Sequence, residues 1–288
     1  MNTDNPTKYN KVSVITPCLN AERYIQETIE SVVKNTAFQR KSTSLQYIVC
    51  DGASTDRTLD IVDETFSSIN QDNIELKIIS EPDSGMYDAL TRGLQTSSGD
   101  IVCYINAGDF YSPTAFEIVL EIFNSKKVKW LTGINAFYNE NSHLVGVWIP
   151  FKYRRRLIQC GLYNEKVLPF IQQESTFWHS SLNTLLDYDE LGEFEQAGDY
   201  YMWKQFSQKE HLHIVEAWLG GYKLHCNRLT ENKSTYYREM DLVRERPTVS
   251  DYANAYLDKL VWYFPTRLKK MLNRDFLYRF DHKTQEYQ

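Results

Sequence analysis

Four short loops in the first 110 residues combine polar, small and acidic side chains directly after apolar runs. They are Pro17–Asn20, Asp51–Asp56, Glu81–Gly85 and Asn106–Asp109. One such loop is an ordinary turn, since Asp and Gly make turns. Four in succession describe one acidic rim. Carboxylates can face a phosphate ligand only with a cation between them. A hard divalent ion, Mg²⁺ or Mn²⁺, suits that task, held by one or two carboxylates and by phosphate oxygens. The chemistry indicated is that of a nucleotide diphosphate whose departing phosphate a metal neutralises. The other phosphate cradles, GxGxxG and the GxxxxGK-S/T loop, do not occur in the chain.

The elements that must position these loops follow from periodicity. Lys11–Pro17, Leu45–Cys50, Ile74–Ser80 and Ile101–Ile105 are short β-branched or apolar runs that read as strands. Between them, Ala21–Asn35 (apolar at Ile25, Ile29, Val32 and Val33), Thr55–Phe66 and Ser84–Thr96 carry helical spacing, with Ser54 or Thr55 as the N-cap of the second helix. Alternating strand and helix predicts a mostly parallel α/β sheet flanked by helices. In such a sheet ligands bind beyond the carboxyl ends of the strands, where all four loops lie. Further on, a helix is expected over Pro113–Asn124, strands over Lys129–Phe137 and Val145–Ile149, an aromatic helix over Gly198–Gln208 and a strand over His211–Glu216. From about Thr235 the chain reads as helix to its end.

The segments SVITPCLNAERYIQETIESV, IVCDGASTDRT, SEPDSGMYDALTRGL and GDIVCYINAGDFYSP, followed by FIQQESTFWHSSL and QAGDYYMWKQF, resemble the family 2 glycosyltransferases of GT-A fold. They are most similar to the bacterial branch that builds capsules, O-antigens and exopolysaccharides. The match runs from about Lys11 to Ser234. It implies a GT-A domain over 1–234, with a nucleotide-sugar half at about 8–109 and an acceptor half at about 110–234. Residues 235–288 would form a helical C-terminal extension.

The resemblance also implies roles. Pro17 and Asn20 line the nucleotide pocket, and Asp51 hydrogen-bonds the base. Asp83, Asp88 and Asn106 lie by the donor, with Arg92 near its phosphates or in the core. Asp109 holds the Mn²⁺ or Mg²⁺ ion that bridges the diphosphate. The family's metal motif is often acidic-x-acidic, whereas here Asn106-Ala107-Gly108-Asp109 offers one carboxylate. Thr91 stands where many relatives carry Asn. Asp199 matches the catalytic aspartate, which takes the acceptor hydroxyl's proton in an inverting displacement. His225 lies where some GT-A enzymes add a metal ligand, and its surroundings read equally as an edge strand. The resemblance implies a nucleotide-sugar donor, a UDP-sugar by expectation, and a lipid-linked glycan acceptor.

Plainer readings stand beside these. Asp109 is also a loop carboxylate before Pro113, and Asp199 is also a helix-start acid. Gln172, Gln173, Phe177 and Trp178 suit an acceptor platform, because aromatic faces meet sugar C–H groups. Phe177 and Trp178 equally suit the core. His211 and His213, at i, i+2 on one strand face, read as structural. Lys152, Arg154, Arg155 and Arg156 read as a solvated helix face or as contacts to the pyrophosphate of a lipid-linked acceptor.

Between Tyr256 and Phe280, Leu, Phe, Tyr, Trp and Met alternate with Lys and Arg, and only Asp258 and Asp275 oppose them. That pattern suits an interfacial amphipathic segment at a membrane surface. A helix packed on the domain and a homodimer contact are the other readings.

The net charge of −6 argues against a nucleic-acid binder. Five scattered cysteines without a CxxC pair point to reduced thiols. The polar MNTDNPTKYN start shows no secretory signal, and no apolar run approaches membrane-spanning length. The expectation is a cytoplasmic protein, peripheral at the inner face of the membrane. Two rivals remain at this stage. A sugar-phosphate nucleotidyltransferase would need a Gly-rich basic loop after the first strand, where this chain has PCLNAERY. A non-catalytic nucleotide-sugar binder of the same fold would bind without turnover.

Overall fold

The computed structural model describes residues 8–40, 42–69, 71–224 and 233–288. Strand and helix alternate through the first part: β1 (Lys11–Cys18), α1 (Ile25–Val33), α2 (Thr36–Gln39), β2 (Ser44–Asp51), α3 (Thr58–Ser67), β3 (Ile74–Ser80), α4 (Met86–Thr96) and β4 (Ile101–Tyr104). A mixed region follows, with β5 (Phe110–Tyr111), α5 (Ala115–Lys126), β6 (Trp130–Thr132), β7 (Asn135–Tyr138), β8 (Leu144–Trp148), α6 (Arg155–Gln159) and β9 (Thr176–His179). Then come α7 (Tyr188–Gly192), α8 (Gly198–Ser207), β10 (His213–Val215) and β11 (Gly220–Lys223). The chain closes with α9 (Ser234–Val243), α10 (Val249–Trp262), α11 (Thr266–Leu272), β12 (Leu277–Tyr278), β13 (Phe280–Asp281) and β14 (Glu286–Tyr287).

Among the described residues, eight strands form one sheet in the order β12-β10-β6-β9-β4-β1-β2-β3. All neighbours are parallel except β9, which runs antiparallel to both β4 and β6. Side-chain pattern decides position in the sheet. β1 and β2 are nearly continuous apolar runs, buried throughout after their first residue, because helices cover both faces. β3 at the edge keeps charged Glu75 and Lys77 and is nowhere fully buried. A smaller sheet, β5-β11-β7-β8, stands beside the carboxyl end of β4.

Three expectations need correction. The helix expected from Thr55 begins at Thr58. Ser54 is not its cap, since its hydroxyl is bonded to Asp51, while Asp56 takes the Thr58 N–H at 3.0 Å. The chain is also not helical to its end. Leu277 and Tyr278 pair with Ile214 and Val215, so the C-terminal stretch supplies an edge strand of the main sheet. Leu277 is fully buried there, and the Tyr278 hydroxyl meets His213 Nδ1 at 3.0 Å with the two rings stacked. Burial moves the His213 imidazole down to about 4, so this residue is a neutral structural partner.

The arginines of the basic segment are also not a free solvated face, because each is engaged by the protein. Arg154 grips Asp258 of α10 through Nε at 2.6 Å and Nη2 at 2.8 Å. Arg155 donates to the Ser207 and Gln208 carbonyls at the end of α8. Arg156 pairs with Glu245 and with Asp251 of α10. The guanidinium forks of Arg154 and Arg156 fasten the C-terminal helices to the body of the fold, and that of Arg155 ties α6 to the end of α8.

Candidate active site

The loops after β1, β2 and β3 interlock. Asn20 adopts a left-handed φ of 49° and donates its N–H to Ser54 Oγ at 2.7 Å, while its Oδ1 accepts the Thr55 N–H at 2.9 Å. Asp51 is 2% exposed. Its Oδ2 accepts Ser54 N–H at 3.0 Å and Ser80 Oγ–H at 2.7 Å, and its Oδ1 accepts the Ser54 hydroxyl. Pro17 is buried at the end of β1.

Beyond β3, Asp83 packs so close to Gly52 that a Cβ on Gly52 would lie 2.6 Å from its Oδ2. Burial, then the charges of Asp88 and Asp51, raise the Asp83 carboxyl above the usual carboxylate range. Asp88, in the first turn of α4, accepts Ser84 N–H at 2.9 Å and pairs with Arg92 at 3.0 Å. Arg92 also reaches the Pro82 carbonyl and, at 3.1 Å, the Glu81 carboxylate. Asp88 and Arg92 therefore brace the loop after β3, and their polar groups are spent on it.

A cavity of about 780 Å³ lies beside this cluster, against the small sheet. Of the seven donor residues expected from sequence, only Asn106 lines it. It is lined by the polar groups of Tyr104, Asn106, Gln173, Glu174 and Asp199 and by the rings of Phe137, Trp148, Phe170, Tyr222, Trp262 and Tyr263. Such walls suit a sugar, whose C–H faces pack on rings while its hydroxyls meet polar groups. Two oxygens at this end of β4, Asn106 Oδ1 and Gln173 Oε1, are buried without a partner. Gln173 is held there by donating Nε2 to the Tyr104 carbonyl.

Two carboxyl groups share the cavity. Asp199 sits in the first turn of α8. Burial pushes it up to about 7, against the opposing pull of the Tyr200 N–H (2.6 Å) and the Tyr236 hydroxyl; the Glu239 charge adds to the rise. Burial likewise raises Glu174 to about 7, and Asp199 adds to it. Carboxyl groups poised near neutral pH in a cavity are candidates for proton transfer.

The start of α8 is locked in place. Glu239 of α9 accepts the N–H groups of Glu195, Gln196 and Ala197 at 2.9, 3.0 and 2.8 Å. The Tyr87 ring lies where a Cβ on Gly198 would be, 2.4 Å from the nearest ring atom.

Trp178 is not an acceptor platform. It is fully buried, because β9 runs through the middle of the sheet. Its Nε1 donates to Asn183 Oδ1 at 2.7 Å, and its ring meets Tyr104, Trp203 and Phe206. Asp109 is 5% exposed, and its Oδ1 accepts the Lys223 N–H at 2.8 Å. Among the described residues no group of three or more His, Cys, Asp or Glu converges as a metal cage. Of the two polar residues in the expected metal motif, Asn106 lines the cavity and Asp109 does not. His225 lies outside the described residues.

Sequence reasoning missed Glu174, Tyr236 and Glu239. Glu174 was within reach: it sits between Gln173 and a strand-like TFWH run. Knowing that this strand is antiparallel would have put its start with the carboxyl ends of the others. Tyr236 and Glu239 come from a helix distant in sequence and carry no local signal.

A family model described as "Glycosyl transferase family 2" matches residues 13–173. An Escherichia coli protein, UDP-Glc:alpha-D-GlcNAc-diphosphoundecaprenol beta-1,3-glucosyltransferase WfgD, is 22% identical over 259 residues, covering 87% of this chain and 90% of the relative. Chondroitin synthase of Pasteurella multocida is 21% identical over 86% of this chain, which spans only 25% of that larger protein. Among solved structures, S. aureus TarS 1-349 in complex with UDP superposes with a TM-score of 0.59 at 16% identity, covering 92% of this chain and 70% of that one. The Pyrobaculum calidifontis mannosyltransferase PcManGT with GDP-Man and Mn²⁺ gives a TM-score of 0.56 at 14% identity, covering 92% and 73%.

Proposed function

Since the chain belongs to glycosyl transferase family 2 and has the GT-A fold, we propose that it moves a hexosyl or N-acetylhexosaminyl group from a UDP-sugar to a hydroxyl of a lipid-linked glycan. The observation that carries this reading is Asp199, a carboxyl raised to about 7 at the edge of an aromatic-walled cavity. The names of WfgD and of the TarS complex supply the uridine nucleotide, and WfgD's name supplies the diphosphoundecaprenol acceptor.

The nucleotide would lie over the interlocked loops of Asn20, Asp51 and Asp83, with the sugar reaching into the cavity by Asn106. The acceptor hydroxyl enters from the aromatic side and gives its proton to the Asp199 carboxylate. Its oxygen bonds the anomeric carbon as the bond to the diphosphate oxygen breaks, which inverts that centre. No covalent intermediate is needed. Asn106 Oδ1 and Asp109 would hold a divalent ion, Mn²⁺ or Mg²⁺, arriving with the diphosphate, and its chemistry is to neutralise the departing charge. Among the described residues no helix is long and apolar enough to cross a membrane. The proposed site of action is peripheral, at the cytoplasmic face where a polyprenyl-linked acceptor is presented.

The test is nucleotide release from a panel of UDP- and GDP-sugars, with Mn²⁺ and then with EDTA, for wild type and Asp199→Asn. One donor turned over in a metal-dependent way, and lost in the variant, supports the reading. Nucleotide binding by calorimetry without release from any donor, even with glycan acceptors present, would leave a non-catalytic binder.

A further inference from the structure

Helix α10 is turned inside out for a helix on a protein surface. Its acidic residues Asp251 and Asp258 face the protein, the latter 2% exposed, together with Ala255 and Trp262. Its apolar residues face outward. Val249, Tyr252, Tyr256, Leu260 and Tyr263 recur at spacings of three and four, one stripe along the helix, flanked by Leu257 and Phe264. Val249 is 88% exposed, Leu260 64% and Tyr263 70%. The orientation is imposed rather than loose. The bidentate Arg154–Asp258 pair and the Arg156–Asp251 pair hold the carboxylates inward, which forces the stripe out.

The exposed charge around the stripe is mainly cationic, with Asp275, just beyond α11, the acid beside it. Between Val249 and Arg274 the only acids are Asp251 and Asp258, both turned inward. Arg267 and Arg274 are exposed and Lys259 is half-buried along the flank, so this face is apolar and cationic in a chain whose net charge is −6. Met271 and Leu272 extend the apolar surface. The flank that bears Lys259 and Tyr263 also lines the active-site cavity, as does Trp262.

We propose that the outward face of α10, continued by α11, docks on an anionic lipid bilayer. Tyr252, Tyr256, Leu257, Leu260 and Phe264 would enter the headgroup region, with Lys259, Arg267 and Arg274 at the phosphates. This deepens the lipid-linked acceptor reading and rests on it for one point only, that the cavity opens toward the bilayer carrying the acceptor. A second copy of the chain is the competing occupant. It is disfavoured because two such faces would bring like charges together.

The experiment is co-sedimentation of the whole chain with vesicles of phosphatidylcholine, alone or mixed with phosphatidylglycerol, at low and high salt. Wild type should partition onto the anionic vesicles and detach as salt rises. Tyr256→Glu with Leu260→Glu should lower the partition constant roughly tenfold or more and leave donor hydrolysis in lipid-free buffer unchanged. Neither residue touches the cavity. The proposal is overturned if wild type stays in the supernatant with anionic vesicles. It is equally overturned if lipid-free wild type is a dimer that the double variant splits while vesicle binding is unaltered. Vesicle binding without any donor turnover would keep this surface and remove the transferase reading; turnover without vesicle binding would do the reverse.

Discussion

Glu239 accepts the backbone N–H of Ala197 at 2.8 Å, two residues ahead of Asp199, and takes the two preceding N–H groups as well. A carboxylate on α9 thus fixes the loop that leads into α8, whose first turn carries the candidate base. The same helix supplies Tyr236, whose hydroxyl bonds to Asp199.

These two residues act on Asp199 with opposite sign, so their variants should separate. The Glu239 charge raises the Asp199 carboxyl and the Tyr236 hydrogen bond lowers it. Glu239→Gln should move the acidic limb of the kcat profile to lower pH, and Tyr236→Phe should move it to higher pH. Loosening the loop in Glu239→Gln should also cut kcat by roughly 10- to 100-fold with little change in donor KM. Shifts in the same direction, or a fall in melting temperature alone, would reduce both residues to a structural role.

Stability should fall as the two cavity carboxyls ionise. Both are raised from the ordinary carboxyl range to about 7 in the folded state. The folded chain therefore holds more protons than the unfolded chain between about pH 4 and pH 7. The stability they contribute is complete below that window and lost as pH rises through about 7. Glu174→Gln should be more stable than wild type by on the order of 1–3 kcal/mol at about pH 8.5, with the gap closing near about pH 5. Denaturant titrations at the two pH values check this; a gap independent of pH would refute it.

Gly220 admits no side chain. A Cβ there would stand 2.0 Å from the Glu174 carbonyl oxygen, a backbone atom that cannot rotate away. Gly220→Ala should cost about 3 kcal/mol or more and displace Glu174 from the cavity. Gly146→Ala is the control, since its nearest contact would be an ordinary 3.6 Å to the Phe137 ring. Thermal melts of both variants should differ clearly, and equal melting temperatures would contradict the close approach.

The Arg154–Asp258 pair should respond unevenly to truncation. Arg154 is 36% exposed and Asp258 is 2% exposed. Arg154→Ala strands a buried carboxylate and should cost about 3 kcal/mol. Asp258→Ala leaves a guanidinium that water can reach and should cost less. If both lose the same stability, the burial argument fails.

The sequence carried the parallel half of the fold because that half is local. Each β-branched run, helical stripe and turn loop between Lys11 and Tyr104 announces its own element, and four strands in register leave their loops at one edge. Which of those loop residues face a ligand was not legible. Asp51, Asp88 and Arg92 have the chemistry of a donor site, yet their polar atoms are taken by Ser54, Ser80, Ser84 and the loop carbonyls. Partner choice of that kind depends on distances across separate loops, which no spacing records.

Composition and order therefore determined an α/β sheet with an acidic loop edge, and the resemblance to family 2 glycosyltransferases singled out Asp199. Tertiary structure decided the rest. It brought Glu174, Tyr236 and Glu239 to Asp199, sent Trp178 into the core, and spent Arg154 and Arg156 on fastening the C-terminal helices. It also turned the apolar stripe of α10 to the outside, against the bias of a helix read by itself. The physical reason is common to all of these. Burial, pKa and orientation are set by groups distant along the chain, such as Arg154 on Asp258, and their energies exist only once the fold has brought them together.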